Sequence, residues 1–127
     1  MSDKLNNLNI LIVDDSSTSR MILKNILSEI KPNSIFEASD ASEALKSLKT
    51  NQIQIVITDI VMPNISGLEL TKTISQTLSH IPVIVISSLT QEHIILEAIN
   101  SGASDFLSKP IQRENLIHSI QKVMDHD

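Results

Sequence analysis

The chain has 127 residues, close to the commonest length of one domain, so we expect a single domain over residues 1–127 with a core of about 9–124. Its 10 Lys and Arg against 15 Asp and Glu give a formal net charge of −5, which disfavours direct binding to nucleic acid. Cysteine is absent, which excludes disulfides and thiolate metal sites, and no apolar stretch approaches the ~20 residues that cross a bilayer. We therefore expect no membrane insertion and a cytoplasmic location.

Two apolar patterns alternate along the chain. A strand buried on both faces is apolar at successive positions, whereas an amphipathic helix repeats its apolar residues every three or four positions. The patterns predict strand and helix pairs over residues 10–13 and 22–30, 34–38 and 41–48, 53–57 and 70–78, 83–86 and 94–99, and 106–107 and 116–123. Met21, Met62 and Met124 are expected to fill the core or its boundary.

Capping residues support the helix boundaries. Asp40, with Glu43 three positions later, predicts the start of the second helix, and the polar residues 64–66 precede the third. Thr90 is expected to open the fourth helix, and Gly102 is expected to end it. Five strands, each followed by a helix, predict an α/β, doubly wound (βα)5 sandwich, because right-handed crossovers place helices on both faces of a parallel sheet.

Each predicted strand but the second ends abruptly in residues that can carry chemistry. These strand ends are Asp14-Asp15, Thr58-Asp59, Ser87-Ser88 and Ser108-Lys109-Pro110. In a parallel sheet the carboxyl ends meet at one edge, where such folds place their functional groups. We therefore expect these side chains to lie together.

The residue types at this edge predict a metal-assisted phosphate site. Three neighbouring carboxylates repel one another unless a cation lies among them, and an all-oxygen donor set suits Mg²⁺, or Mn²⁺. Asp59 then has the surroundings of a nucleophile, with Lys109 to hold a phosphoryl oxygen and the Ser87 hydroxyl to donate to another. Taken singly, each of these residues is explained as well by a cap, a turn or a polar strand end. Their joint occurrence in this order favours the site.

Four segments of the chain resemble the receiver domain of bacterial two-component response regulators, with its CheY-like fold, over essentially the whole length. They are ILIVDDSSTSR, IVITDIVMPNISGLEL, PVIVISS and GASDFLSKPI. The resemblance implies a flavodoxin-like, five-stranded parallel sheet in the order 2-1-3-4-5. It also implies that the Lys109–Pro110 peptide bond is cis.

The resemblance also implies roles for individual residues. Asp59 would accept the phosphoryl group, and Asp15, Asp59 and the Val61 carbonyl would bind Mg²⁺ directly, with Asp14 acting largely through water. Lys109 would contact the phosphoryl group.

Two further residues would carry the switch. Ser87 would move to bind the phosphoryl group, and Phe106 would turn inward as the rotating aromatic residue. The surface made by the fourth helix, fifth strand and fifth helix would change as a result.

Apolar residues stand at two positions where receivers that lose phosphate quickly often carry polar groups. These are Val61 and Leu89, two residues past Asp59 and Ser87 respectively. We hypothesise that the acyl phosphate is comparatively long-lived, because neither residue can orient the attacking water.

We interpret the chain as a stand-alone receiver, phosphorylated on Asp59 by a histidine kinase or phosphotransfer protein and signalling through contact with an unidentified downstream protein. It would be a switch, with catalysis limited to its own phosphorylation and dephosphorylation. The DDSSTSR segment is most similar to chemotaxis-type receivers.

Three alternatives stay open. The first is the amino-terminal receiver of a longer regulator, although Met1 near the first strand and the chain end at 125–127 favour the stand-alone form. The second is a Mg²⁺-dependent aspartyl phosphatase, which typically needs a second Asp where this chain has Val61. The third is a receiver that does not respond to phosphate, against which the intact set of Asp14, Asp15, Asp59, Ser87 and Lys109 argues.

Overall fold

The computed structural model describes residues 7–125, so the ends of the expected 1–127 domain, including Met1 and residues 126–127, lie outside it. Five strands and five α-helices alternate, as predicted. In chain order they are β1 Asn9–Val13, α1 Ser17–Leu27, β2 Ser34–Ala38, α2 Ala41–Thr50, β3 Ile55–Asp59, α3 Gly67–Thr77, β4 Val83–Ser87, α4 Glu92–Asn100, β5 Asp105–Ser108 and α5 Arg113–Asp125, with a short 3-10 turn at Ser28–Ile30.

The strands form one parallel sheet in the order β2-β1-β3-β4-β5, which confirms the expected topology. The register brings the strand ends level. Val13 at the end of β1 pairs with both Ala38 and Thr58, and Asp59 at the end of β3 pairs with Ile86. The predicted edge of polar residues is therefore a single edge of the sheet.

The two faces of the sheet bury two separate apolar cores. One contains strand residues such as Leu11 and Val85 and is covered by α2, α3 and α4. The other contains residues such as Ile12 and Ile57 and is covered by α1 and α5. Alternate residues of a strand point to opposite faces, so strands that are apolar throughout are required by a sheet with helices on both sides.

The predicted caps are confirmed with one exception. Asp40 accepts a hydrogen bond from the Glu43 amide at 2.8 Å, and Gly102 follows α4 with φ of 103°. Ser66, within the predicted segment 64–66, caps α3 by accepting from the Glu69 amide. Thr90 was the wrong residue for the start of α4, because the N-cap is Gln91, which makes no side-chain capping bond.

Two further predictions need correction. β3 begins at Ile55 and not at residue 53, because Gln54 is tied by its side chain and its amide to Asn9 before the ladder begins. Met21 does not fill the core and is 62% exposed, since it lies on the solvent side of α1. Met62 and Met124 do pack against the two cores, as expected.

Across residues 7–125, every helix is too short or too polar to cross a lipid bilayer.

Candidate functional site

Asp14 is the first residue past the end of β1, and the backbone of the sheet holds it in place. Its amide donates to the Ala38 carbonyl at 3.0 Å, which extends the pairing with β2 by one bond. The side chain is buried, and its Oδ1 accepts from the Ser16 amide at 2.9 Å. Ser16 is the N-cap of α1, so the strand end and the helix start are joined through this carboxylate.

Asp59 ends β3 and is almost completely buried. Its Oδ2 accepts a hydrogen bond from Lys109 Nζ at 2.8 Å, and its Oδ1 accepts a longer one from the Val61 amide at 3.4 Å. Lys109 Nζ also donates to Asp14 Oδ2 at 3.3 Å. One ammonium group therefore bridges carboxylates that lie 50 and 95 residues away in the chain.

Lys109 follows β5, and its amide donates to the Ser87 carbonyl at 2.9 Å. The Lys109–Pro110 peptide bond is cis, as the resemblance implied. Burial disfavours the charged ammonium group, but the hydrogen bond that it donates to Asp59 and the negative charges of Asp59 and Asp14 outweigh this effect and raise the pKa of Lys109 above its ordinary value. Lys109 is therefore a cation at all physiological pH values.

Asp15 completes the acid group from the solvent side. It is exposed, and one oxygen each from Asp14, Asp15 and Asp59 lie within 4.8 Å of one another. Three carboxylates against the single charge of Lys109 leave an excess of negative charge at an oxygen-only site with one open side. These properties fit Mg²⁺ or Mn²⁺, which take oxygen ligands and keep several waters.

Ser87 ends β4 and Phe106 lies on β5, and neither side chain takes part in the hydrogen bonds of this group. Ser87 is buried, and its Oγ accepts from the Leu89 amide at 2.9 Å. Within residues 7–125 its hydroxyl makes no bond to Asp59 or to the Lys109 side chain. Phe106 pairs with Val85 in the sheet and is half-buried against the α2–α3–α4 core, so the ring is neither fully inside nor fully outside.

Val61 and Leu89, the two apolar residues singled out in the sequence, lie in the loops that follow β3 and β4. Val61 is 57% exposed and Leu89 is half-buried, each directly beyond the strand end that it follows. A cavity of about 470 Å³ opens beside the acids, bordered by Asp14, Asp59 and Lys109 and walled by apolar residues of α1 and of the segment after β5.

Two residues at the site make contacts that were not predicted from the sequence. Gly67 begins α3 against the backbone of Asp59, where a Cβ would lie 1.9 Å from the Asp59 carbonyl oxygen. Arg20 reaches back from α1 to donate to the Asp14 carbonyl. Both stand in the segments that carried the resemblance, but only the packing of a helix start against a strand end shows what they contact.

The arrangement can carry out one kind of chemistry well. A buried carboxylate with one cation already on it and room for a second can attack a phosphorus atom, because the cations take up charge on the transferring oxygens.

Comparison with known proteins agrees with the geometry. The family model for the response regulator receiver domain matches residues 10–121. The chemotaxis protein CheY-3 of Vibrio cholerae is 36% identical over 121 residues, covering 94% of this chain and 93% of that protein. The chemotaxis protein CheY of Thermotoga maritima is 35% identical over 114 residues, covering 90% and 95% respectively.

Among solved structures, the CheX–CheY–BeF3–Mg2+ complex of Borrelia burgdorferi superposes with a TM-score of 0.87. That alignment has 32% sequence identity and covers 93% of this chain and 90% of the other. The fold, the strand-end residues and these similarities lead to the same conclusion: the chain belongs to the response regulator receiver family, whose members act as switches in two-component signalling.

Proposed function

We propose that Asp59 accepts a phosphoryl group from a phosphohistidine of a histidine kinase or phosphotransfer protein. An Asp59 carboxylate oxygen attacks the phosphorus, the bond from phosphorus to the donor imidazole breaks, and the imidazole leaves with a proton. The observation that carries the proposal is the placement of Asp59. Lys109 Nζ lies 2.8 Å from its Oδ2, and the carboxylates of Asp14 and Asp15 lie beside it.

The surrounding residues have separate roles in this proposal. Lys109 leaves Asp59 Oδ2 for an oxygen of the incoming phosphoryl group and so keeps its charge paired. Asp14, Asp15, Asp59 and the Val61 carbonyl would hold Mg²⁺ or Mn²⁺, which when bound neutralises charge on the transferring oxygens. The support is the oxygen-only cluster and the uncompensated negative charge described above.

We propose that the switch follows from the new charge at the end of β3. Ser87 exchanges its bond with the Leu89 amide for one to the phosphoryl group, and the half-buried Phe106 turns inward into the space vacated. The surface formed by α4, β5 and α5 then changes. Leu96 and Ile99 on α4 are about half exposed, which suits a surface that a protein partner covers.

The pathway in this proposal is chemotaxis-type signalling by a stand-alone receiver that is not otherwise an enzyme. Its support is the match to two chemotaxis proteins over more than 90% of their own length. The Borrelia burgdorferi complex is a precedent for a receiver of this kind bound to a protein partner. A receiver within a longer regulator would show the same chemistry, so the mass of the endogenous protein is the measurement that separates these two forms.

Incubation with Mg²⁺ and phosphoramidate, followed by intact mass spectrometry, tests the phosphorylation. We expect one phosphoryl group on the wild-type chain and none on Asp59→Asn, while the control Asp40→Asn, at the cap of α2, is modified normally. Continuous hydrolysis of a phosphate ester would support the aspartyl phosphatase instead. An unmodified wild-type chain would contradict the proposal and support a receiver that does not respond to phosphate.

A further inference from the structure

Arg20 contacts the backbone of Asp14, although it lies six residues further along the chain and inside a helix. It lies in the first half of α1, yet its side chain is only 17% exposed, because it turns back across the start of the helix. Its Nη1 donates to the backbone carbonyl of Asp14 at 2.5 Å, and its Nε donates to Glu37 Oε1 at 3.0 Å. The planar guanidinium thereby joins the end of β1 to β2 through two side-chain bonds.

The Asp14 carbonyl is the point at which sheet pairing stops. The ladders from β1 to β2 and to β3 end at Val13, and only the Asp14 amide still finds a sheet partner, in the Ala38 carbonyl. Arg20 supplies the bond that the carbonyl oxygen would otherwise lack. A carbonyl at a strand end would be free to rotate with its peptide unit, so this bond decides the orientation of that unit.

The peptide unit concerned is the one that joins Asp14 to Asp15. Because a peptide is planar, fixing its carbonyl oxygen also fixes the amide of Asp15 and the direction in which that residue leaves the backbone. Asp14 and Asp59 have other restraints, through Ser16, Val61 and Lys109. Among the described residues, the Asp15 carboxylate has no hydrogen bond, so its place beside the other two acids depends on the backbone alone.

Glu37 in turn holds the arginine. It lies on β2 opposite Ile12 and accepts from both Arg20 and Lys24. The hydrogen bond from Lys24 lowers the pKa of Glu37. Burial opposes this effect, but the hydrogen bond from Arg20 and the two positive charges keep the pKa below its ordinary value, so Glu37 is ionised at neutral pH. Lys24 binds the same carboxylate without touching Asp14, which makes it a natural comparison.

We propose that Arg20 is a positioning residue of the metal site, which orients the Asp14–Asp15 peptide so that the Asp15 carboxylate stays within ligand distance of Asp14 and Asp59. The inference rests on the proposed function, because it assigns the acids to a divalent ion. It goes further in naming a cationic residue that promotes cation binding. Simple electrostatics predicts the reverse, since removal of a positive charge near three carboxylates strengthens their attraction for Mg²⁺.

The opposite signs of these two effects make the test decisive. Titration of the unphosphorylated chain with Mg²⁺ by calorimetry measures binding directly, and NMR of the Asp15 amide reports its environment. We expect Arg20→Met to weaken Mg²⁺ binding about tenfold, within the range found for residues that orient metal ligands. Lys24→Met removes the same charge from the same helix and the same partner, and should leave the Mg²⁺ affinity unchanged or slightly raised.

Further measurements separate positioning from a general loss of structure. At saturating Mg²⁺, phosphorylation of Arg20→Met by phosphoramidate should return to within about twofold of the wild-type rate, because the ion itself can draw Asp15 back into place. Arg20→Lys keeps the charge but lacks the planar fork, so it should also weaken Mg²⁺ binding. This second variant preserves the test if Arg20→Met does not fold.

Affinity equal to or tighter than that of the wild type in both Arg20 variants would overturn the inference and leave the proposed function intact. If Lys24→Met weakened Mg²⁺ binding as much as Arg20→Met, the inference would also be overturned, because the ion pair with Glu37 and not the contact with the Asp14 carbonyl would then support Mg²⁺ binding. If the wild-type chain binds no Mg²⁺, the proposed function fails first.

Discussion

Gly67 lies directly against the carbonyl oxygen of Asp59. A Cβ at residue 67 would be 1.9 Å from that oxygen and 2.9 Å from the Ile60 Cα, and both neighbours are backbone atoms that cannot rotate away. The Gly67 amide also donates to the Ile60 carbonyl at 2.8 Å. The start of α3 is thus pressed onto the end of β3, and glycine is the residue that allows Asp59 to keep its position.

Gly67→Ala should therefore damage both stability and phosphorylation. The added methyl group must push α3 and the end of β3 apart, which we expect to cost about 3 kcal/mol in the free energy of unfolding. The rate of phosphorylation by phosphoramidate should fall with it, because Asp59 moves relative to Lys109. Urea denaturation and intact mass spectrometry measure the two effects. Lys72→Ala on the exposed side of α3 is the control, and equal stability of the two variants would refute the packing argument.

Lys109→Met should separate chemistry from metal binding. Loss of the ammonium group removes the partner of Asp14 and Asp59 and should slow phosphorylation at least about 100-fold, the usual effect of removing a preorganised charge-stabilising donor. The two buried carboxylates then depend more on a cation, so Mg²⁺ should raise the Tm of this variant more than that of the wild type. Thermal unfolding with and without Mg²⁺ checks this, with Lys46→Met on the surface of α2 as the control. A smaller Mg²⁺ effect than in the wild type would contradict the proposed site.

Asp105 should make the stability of the protein depend on pH in the acid range. Burial opposes its ionisation, but hydrogen bonds from the Ser119 hydroxyl, the Phe106 amide and Lys122 outweigh this effect and lower its pKa. The unfolded chain therefore binds the proton more readily, so the stabilisation is complete above the unfolded value of about 3.9 and is lost as the pH falls through the lower folded value.

Comparison with Asp105→Asn isolates this contribution from those of the other acids. The wild type should have the higher urea midpoint at neutral pH, by an amount that stays constant down to about pH 5 and shrinks below about pH 4. Urea denaturation at a series of pH values measures the difference. If the difference in urea midpoint between the two proteins does not change across this pH range, the charge of the Asp105 carboxylate is not what stabilises the fold.

The lifetime of the phosphorylated state should depend on Val61 and Leu89. Placing polar groups there, in the double variant Val61→Asn and Leu89→Glu, should let them orient water toward the acyl phosphate and speed its loss about tenfold or more. Release of phosphate from the phosphorylated protein gives the rate. Ile65→Asn places a polar group at another exposed apolar position of the same loop and should have no effect. An unchanged rate in the double variant would contradict the hypothesis that apolar residues prolong this state.

The amino-acid sequence alone was enough to predict the class of fold and to propose the residues of the candidate site. Strands buried on both faces are apolar throughout, so the change to polar residues at Asp14, Asp59, Ser87 and Lys109 marks where each strand ends. A parallel sheet brings those ends to one edge whatever the details of packing. Local signals of this kind also predicted the cap at Asp40.

Other features were decided only by the tertiary structure, because they depend on how two elements approach each other. Periodicity predicted an apolar face for α1, but the packing of α1 on the sheet leaves Met21 in solvent and turns Arg20 toward the end of β1. The close approach of Gly67 to Asp59 arises in the same way, from the angle at which a helix leaves a strand end. Residue types and their order specify which groups meet at the edge of the sheet, whereas the distances that hold them in position come from packing between elements distant in the chain.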